Sequence, residues 1–249
     1  MKLYKGDCLE VMDRMIAEGV KVDAIITDPP YGTTACKWDS VIPFDEMWLR
    51  LNKLIKPNGA IVLFGSEPFS SALRMSNIKN YKYEIIWNKI RGSNFALANK
   101  QPLKTHENIS LFYKKLPTYN PQMTEGKPYD KTKYNGVIDE SNITGHKIKR
   151  IRKKNNGERF PVSIQTFSMN WKRQDQIHPT QKPVALMEYL IKTYTNENET
   201  VLDFTMGSGS TGVACKNTNR NFIGIEQDEK YFKIAKERIE HVPSQQKMF

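Results

Sequence analysis

Gly207-Ser208-Gly209-Ser210-Thr211-Gly212 fits G-x-G-x-x-G, and it lies between an apolar run at 200–204 and a helical stretch near 212–216. In that setting the glycines close a strand, let a ligand approach the backbone and open a helix. Glu226 ends the next apolar run, 222–226, where an acid can accept hydrogen bonds from ribose hydroxyls. Only 37 residues follow Gly212, room for one strand and part of two helices. A nucleotide-binding sheet needs more strands than that, so the others must come from upstream. The expected fold is therefore α/β, a circularly permuted Rossmann-like sheet with helices on both faces.

Two upstream runs, 22–27 and 60–64, read as strands of this sheet. The first leads into Asp28-Pro29-Pro30-Tyr31. Open α/β sheets bind ligands outside the carboxyl ends of their strands. Proline fixes φ and lacks an N–H, and Pro29 biases Asp28 towards extended backbone. The product is a stiff loop presenting a carboxylate, bare carbonyl oxygens and a flat ring, parts that suit a planar group carrying an NH2. Asp and Pro are also ordinary turn residues, and it is the distant glycine loop that favours the ligand reading.

The rest of the chain supports one large domain with an insertion. Further strands are expected at 1–4, 83–87 and 108–113. Helices are expected where Leu9, Met12, Met15 and Ile16 repeat, and at 44–54, 68–75, 183–194 and 231–241. Lys56-Pro57-Asn58-Gly59 reads as a helix stop. Between 115 and 177 the apolar periodicity fades. That stretch holds Lys147, Lys149, Arg150, Arg152, Lys153 and Lys154, six cations in eight positions. With a net charge of +11 they favour a polyanionic partner. Cys8, Cys36 and Cys215 form no Cys-x-x-Cys, which reads as reduced thiols of a cytosolic protein. The four histidines show no metal-ligand spacing. No apolar run reaches the length of a membrane span.

Asp28-Pro29-Pro30-Tyr31 ahead of Gly207-Ser208-Gly209, with an insertion between them, resembles the beta-class DNA amino-methyltransferases. Their order is catalytic motif, target-recognition region, cofactor loop. The resemblance covers roughly 3–115 and 177–240. It includes Gly6-Asp7, similar to the family's acidic contact near the cofactor adenine. It also includes His178-Pro179-Thr180-Gln181-Lys182-Pro183, similar to the segment before its last cofactor strand. One departure is Asp203-Phe204-Thr205, where the family usually has Asp-Pro-Phe.

The resemblance implies S-adenosyl-L-methionine as cofactor and double-stranded DNA as partner. It makes Asp28, Pro29, Pro30 and Tyr31 catalytic. Asp7, Cys8, Lys182, Asp203, Phe204, Thr205, Gly207, Ser208, Gly209 and Glu226 would surround the cofactor. The implied layout is a catalytic part at 1–114, a target-recognition region at 115–177, a cofactor-binding part at 178–242 and a tail at 243–249. Asp at the first motif position points to adenine N6, and Ser would point to cytosine N4. Tyr31 is the expected stacking platform for a flipped base, so Tyr31→Phe should keep substantial activity; Trp38 is a second aromatic candidate. Other members are often dimeric and belong to bacterial restriction-modification systems. Gln245-Gln246-Lys247-Met248-Phe249 resembles peptides that dock on bacterial sliding clamps. Competing readings are a cytosine N4 enzyme, an RNA or protein-amide methyltransferase, a DNA-binding protein without turnover, and a nicotinamide dehydrogenase.

Overall fold

The computed structural model describes residues 1–33, 39–130, 132, 154–169 and 181–242. The chain divides into two compact units, Met1–Asn120 with Ser163–Phe249, and Pro121–Val162. The first unit begins with β1 (Lys2–Lys5), α1 (Cys8–Ala17), β2 (Val22–Thr27), α2 (Phe44–Leu54), β3 (Ile55–Gly65), α3 (Phe69–Ser76), β4 (Tyr81–Ser93) and β5 (Lys104–Phe112). The second unit holds two short antiparallel pairs, β6 (Thr124–Glu125) with β9 (Glu158–Arg159), and β7 (Tyr129–Asp130) with β8 (Lys154–Asn155). The first unit then resumes with β10 (Ile164–Thr166), α4 (Val184–Tyr194), β11 (Thr200–Asp203), α5 (Ser210–Asn217), β12 (Asn221–Glu226) and α6 (Glu229–His241).

Its sheet has eight strands in the order β1-β12-β11-β2-β3-β5-β4-β10. From β1 to β3 every neighbouring pair is parallel, and β10 is parallel to β4. β5 is antiparallel to both β3 and β4 and so runs against the rest. β11 and β12, from late in the chain, lie between β1 and β2, from its start. This interleaving is that of the expected permuted sheet.

Alternation along the strands explains the layering. Ala24, Ile26, Ala60, Val62 and Phe64 face Leu186, Met187, Leu190, Ala214 and Ile239 of α4 to α6. Ile25, Ile61 and Leu63 face Met12, Met15, Trp48, Leu51 and Leu73 of α1 to α3. Each buried Val, Leu, Ile, Met or Phe among them contributes about 1.5–3 kcal/mol of transfer free energy. Asp7 caps α1, accepting from the Leu9 and Glu10 N–H groups at 2.8 and 3.2 Å.

Two readings from sequence change. Residues 56–59 do not separate helix from strand, because β3 already begins at Ile55. The β2–β3 ladder jumps from Val22↔Ile55 to Ala24↔Ala60, so Lys56-Pro57-Asn58-Gly59 is a bulge. A Cβ on Gly59 would stand 2.6 Å from the Asp23 carbonyl oxygen, which is why glycine fits there. The stretch 115–177 is also divided: Ile164–Thr166 pairs with Ile86, Trp87 and Asn88 at the sheet edge. The Trp87 Nε1–H donates to the Phe167 carbonyl at 2.8 Å. Among the described residues no helix is long and apolar enough to cross a membrane.

Candidate active site

Four adjacent parallel strands end at one cavity of about 430 Å3. Gly6 and Asp7 follow β1, Glu226 ends β12, Asp203 ends β11 and Asp28 follows β2, and all of these line it. The volume falls within the range of small-molecule sites. Asp28 and Gly207, 179 positions apart in sequence, thus face one space.

The glycine turn is held by acids and hydroxyls. Glu226 accepts from the Gly207 N–H at 2.9 Å on one oxygen and from the Asp228 N–H at 2.8 Å on the other. Each carboxylate oxygen has two acceptor positions, so Glu226 retains capacity for ribose hydroxyls. Gly207 and Gly209 both have positive φ, 51° and 81°. Gly209 does not line the cavity; a Cβ there would meet the Ala235 Cβ at 3.0 Å, so it serves the packing of α6. Arg238 of α6 donates to the Ser208 carbonyl and, at 2.9 Å, to its Oγ. Ser210 Oγ is buried beside the cavity with no hydrogen-bond partner among the described residues. Apolar Phe204 and Ile225, two acids and an unpaired hydroxyl together suit a nucleoside with free hydroxyls. Cys8 also lines this space, and burial pushes its thiol up to about 12.

Asp203 ties this half to the next. It accepts from Thr27 Oγ1 at 2.6 Å, Thr211 Oγ1 at 2.5 Å and the Thr205 N–H at 3.1 Å. Burial raises its carboxyl to about 6 against the pull of those donors. Thr205 Oγ1 donates to the Asp28 carbonyl oxygen at 3.0 Å and lies 2.7 Å from Thr27 Oγ1. The departure from Asp-Pro-Phe therefore replaces a bulky ring with a hydroxyl that staples the glycine turn to the Asp28 loop.

Around Asp28 the charges are concentrated. Tyr31 OH donates to its Oδ1 and Lys182 Nζ to its Oδ2. Lys182 lines the cavity, but its ammonium rests on Asp28 and, at 3.3 Å, on Glu107 Oε2. Glu107 Oε1 pairs with Lys89 Nζ at 3.1 Å. Burial raises the Asp28 carboxyl, with Lys182 opposing and Glu107 adding to it. Burial also works against the charge on Glu107, yet Lys182 and Lys89 hold its carboxyl below the usual range. Burial favours a neutral Lys182, and Asp28 and Glu107 outweigh it and hold the ammonium above its ordinary value.

The loop beyond is pinned by Asp39, whose carboxylate accepts from the Tyr31, Gly32 and Thr33 N–H groups at 2.8–2.9 Å. The Tyr31 ring packs on Phe69 with centroids 5.0 Å apart. Pro29 and Pro30 line the cavity beside it.

Sequence reasoning missed Glu107, Lys89 and Asp39. Their partners are distant or lie across a loop, and no local motif marks them. Antiparallel β5 brings its amino-terminal end, and Glu107 with it, to the carboxyl edge of the sheet. Of the basic run, Lys154 is described, exposed in the second unit on β8; Lys147, Lys149, Arg150, Arg152 and Lys153 lie outside the described residues. So do Trp38, Cys36, His178 and the segment 245–249.

The chain matches the N6/N4 family model described as DNA methylase over residues 22–237. It is 29% identical to the type II methyltransferase M1.MboII of Moraxella bovis, with 94% of each chain covered. It is 27% identical to the type II methyltransferase M2.LlaDCHI of Lactococcus lactis subsp. cremoris, over 95% of this chain and 88% of that one. The crystal structure of the M1.HpyAVI–SAM complex superposes with a TM-score of 0.66 at 31% identity, covering 96% and 98% of the two chains. The cytosine-N4-specific PvuII DNA methyltransferase, 17% identical, shares the fold with a TM-score of 0.65 over 95% and 85%. With most of its length inside the family match and its glycine turn and Asp28 loop on one cavity, this chain belongs to the N6/N4 DNA methylase family.

Proposed function

We propose that this protein methylates adenine N6 at a specific sequence in double-stranded DNA, acting on a base turned out of the helix. The proposed setting is the bacterial cytoplasm, in a restriction-modification context. S-adenosylmethionine is the cofactor, and when bound it supplies a methyl group already activated on a sulfonium. The observation that carries the reading is the shared cavity, with Asp28 at one end and Gly207 and Glu226 at the other.

The N6 lone pair is delocalised into the adenine ring, so the amine is a poor nucleophile. In our reading the Asp28 carboxylate and the Pro29 carbonyl accept its two N–H groups. As the nitrogen becomes tetrahedral and gains positive charge, those acceptors fit it better than they fit the flat amine. The nitrogen then gives one proton to Asp28 or to water, so each transfer releases one proton. Reaching Asp28 requires the base to leave the stack, and Tyr31 offers it an aromatic face, a contact on the order of 1–3 kcal/mol. Adenine over cytosine rests on Asp, rather than Ser, at position 28.

The test is transfer of tritium from labelled S-adenosylmethionine to duplex DNA, followed by chromatography of the nucleosides. Label in N6-methyladenine is expected; label in N4-methylcytosine overturns the choice of base. Asp28→Ala should bind S-adenosylmethionine by calorimetry and transfer no label. Normal turnover by that variant rejects the role given to Asp28.

A further inference from the structure

Two lysines and two carboxylates meet beside the cavity. Lys182, Glu107, Lys89 and Asp28 have side chains only 7%, 16%, 10% and 18% exposed. Burying four charges is costly, and a packed apolar group of similar volume is often as stable or more so. A purely structural origin therefore explains the cluster poorly. Its place explains it better: the chain of contacts runs Lys89 to Glu107 to Lys182 and ends on Asp28 Oδ2. The Lys182 ammonium also lies 5.2 Å from the centroid of the buried Phe64 ring, which fixes the lysine from a further side.

We propose that Lys182 is a positioning residue for Asp28: clamped by Glu107, it aims the carboxylate and sustains its negative charge where the target amine is held. This rests on the role of Asp28 given above. Lys182 touches the reaction through Asp28, while Glu107 and Lys89 hold Lys182 in turn. The ionisable groups around Asp28 are Tyr31 and Asp39 from its own loop, Lys182 before α4, Glu107 on β5, Lys89 on β4 and Asp203 at the end of β11.

The electrostatic signs make the idea testable. Lys182 favours the charged form of Asp28, and Glu107 disfavours it. Lys182→Met should therefore move the acid limb of the single-turnover rate profile to higher pH. Glu107→Gln removes the opposing anion and leaves Lys182 with Asp28, so its acid limb should move to lower pH. A structural role for the cluster moves neither limb, or moves both the same way.

At neutral pH, Lys182→Met should slow single-turnover transfer roughly 10- to 100-fold, the range for a lost hydrogen bond to a charged group. Affinity for S-adenosylmethionine by calorimetry should stay within about threefold of wild type. Lys182→Arg keeps the charge and should hold the acid limb near its wild-type position. Glu107→Gln is nearly isosteric, so it reports even if Lys182→Met fails to fold. A cofactor affinity that falls tenfold or more with an unmoved limb would instead make Lys182 a cofactor ligand and overturn the proposal. Wild-type protein that transfers no label to DNA sinks the underlying reading, and this one with it. Wild-type transfer with limbs that stay together in both variants sinks this one alone.

Discussion

Tyr31, read in the sequence for its ring, also offers its hydroxyl to Asp28. In the sequence its ring is what matters, and Tyr31→Phe is expected to keep substantial activity. In the structure its hydroxyl donates to Asp28 Oδ1, opposite the bond from Lys182 to Oδ2. Removing that donor should lower the single-turnover rate by roughly tenfold or more, the lower end for a hydrogen bond to a charged acceptor. Cofactor affinity should be unchanged by calorimetry, since the deleted group belongs to the Asp28 side. Asp28 and Glu226 stood out because each closes an apolar run, and strand ends are where open sheets bind; Asp7 stood out only through the family resemblance of Gly6-Asp7. Glu107 was not, because its importance comes from two lysines brought in by different elements. Thr205 was visible as a departure from the family pattern, but what its hydroxyl does depends on Thr27 and Asp28, which only the fold brings near.

At the scale of elements, periodicity located the strands and helices of the first unit well. β2 and β3 are buried on both faces and read as continuous apolar runs. The bulge at 56–59 reads as a stop because Pro, Asn and Gly carry the same local signal in a turn and in a register shift. β10 was missed because three residues at a sheet edge, two of them exposed, carry too little pattern. The junction of the glycine turn with α6 yields a sharper expectation. Gly209 combines a φ of 81° with close packing on Ala235 and Ile239. Gly209→Ala should therefore destabilise the fold by about 1–3 kcal/mol. In thermal unfolding this should lower Tm by about 2–4 °C per kcal/mol. Saturating S-adenosylmethionine should raise the Tm of the variant less than that of wild type, because the displaced turn carries the Gly207 N–H that Glu226 holds.

For the whole molecule, the net charge of +11 bears on encounter with a polyanion rather than on the fold. Replacing Lys147, Lys149, Arg150, Arg152, Lys153 and Lys154 with glutamine should weaken binding to cognate and unrelated duplexes by the same factor. The slope of log K against log salt should flatten by about 0.9 for each phosphate that the variant no longer neutralises. Filter binding across a salt series checks both. The permuted order was legible from the order of the motifs, since Asp28-Pro29-Pro30-Tyr31 precedes the glycine turn. Which strands would flank β11 was not, because sheet order is set by side chains that meet only after folding. That order also governs how the protein is born. β11 pairs with β2 on one side and β12 on the other, yet it is translated long after β2. Until Thr200–Asp203 has left the ribosome, one edge of β2 stays bare and open to pairing with neighbouring nascent chains. A polypeptide cut short before that point keeps its Asp-Pro-Pro-Tyr loop but has no pocket in which to capture a methyl donor.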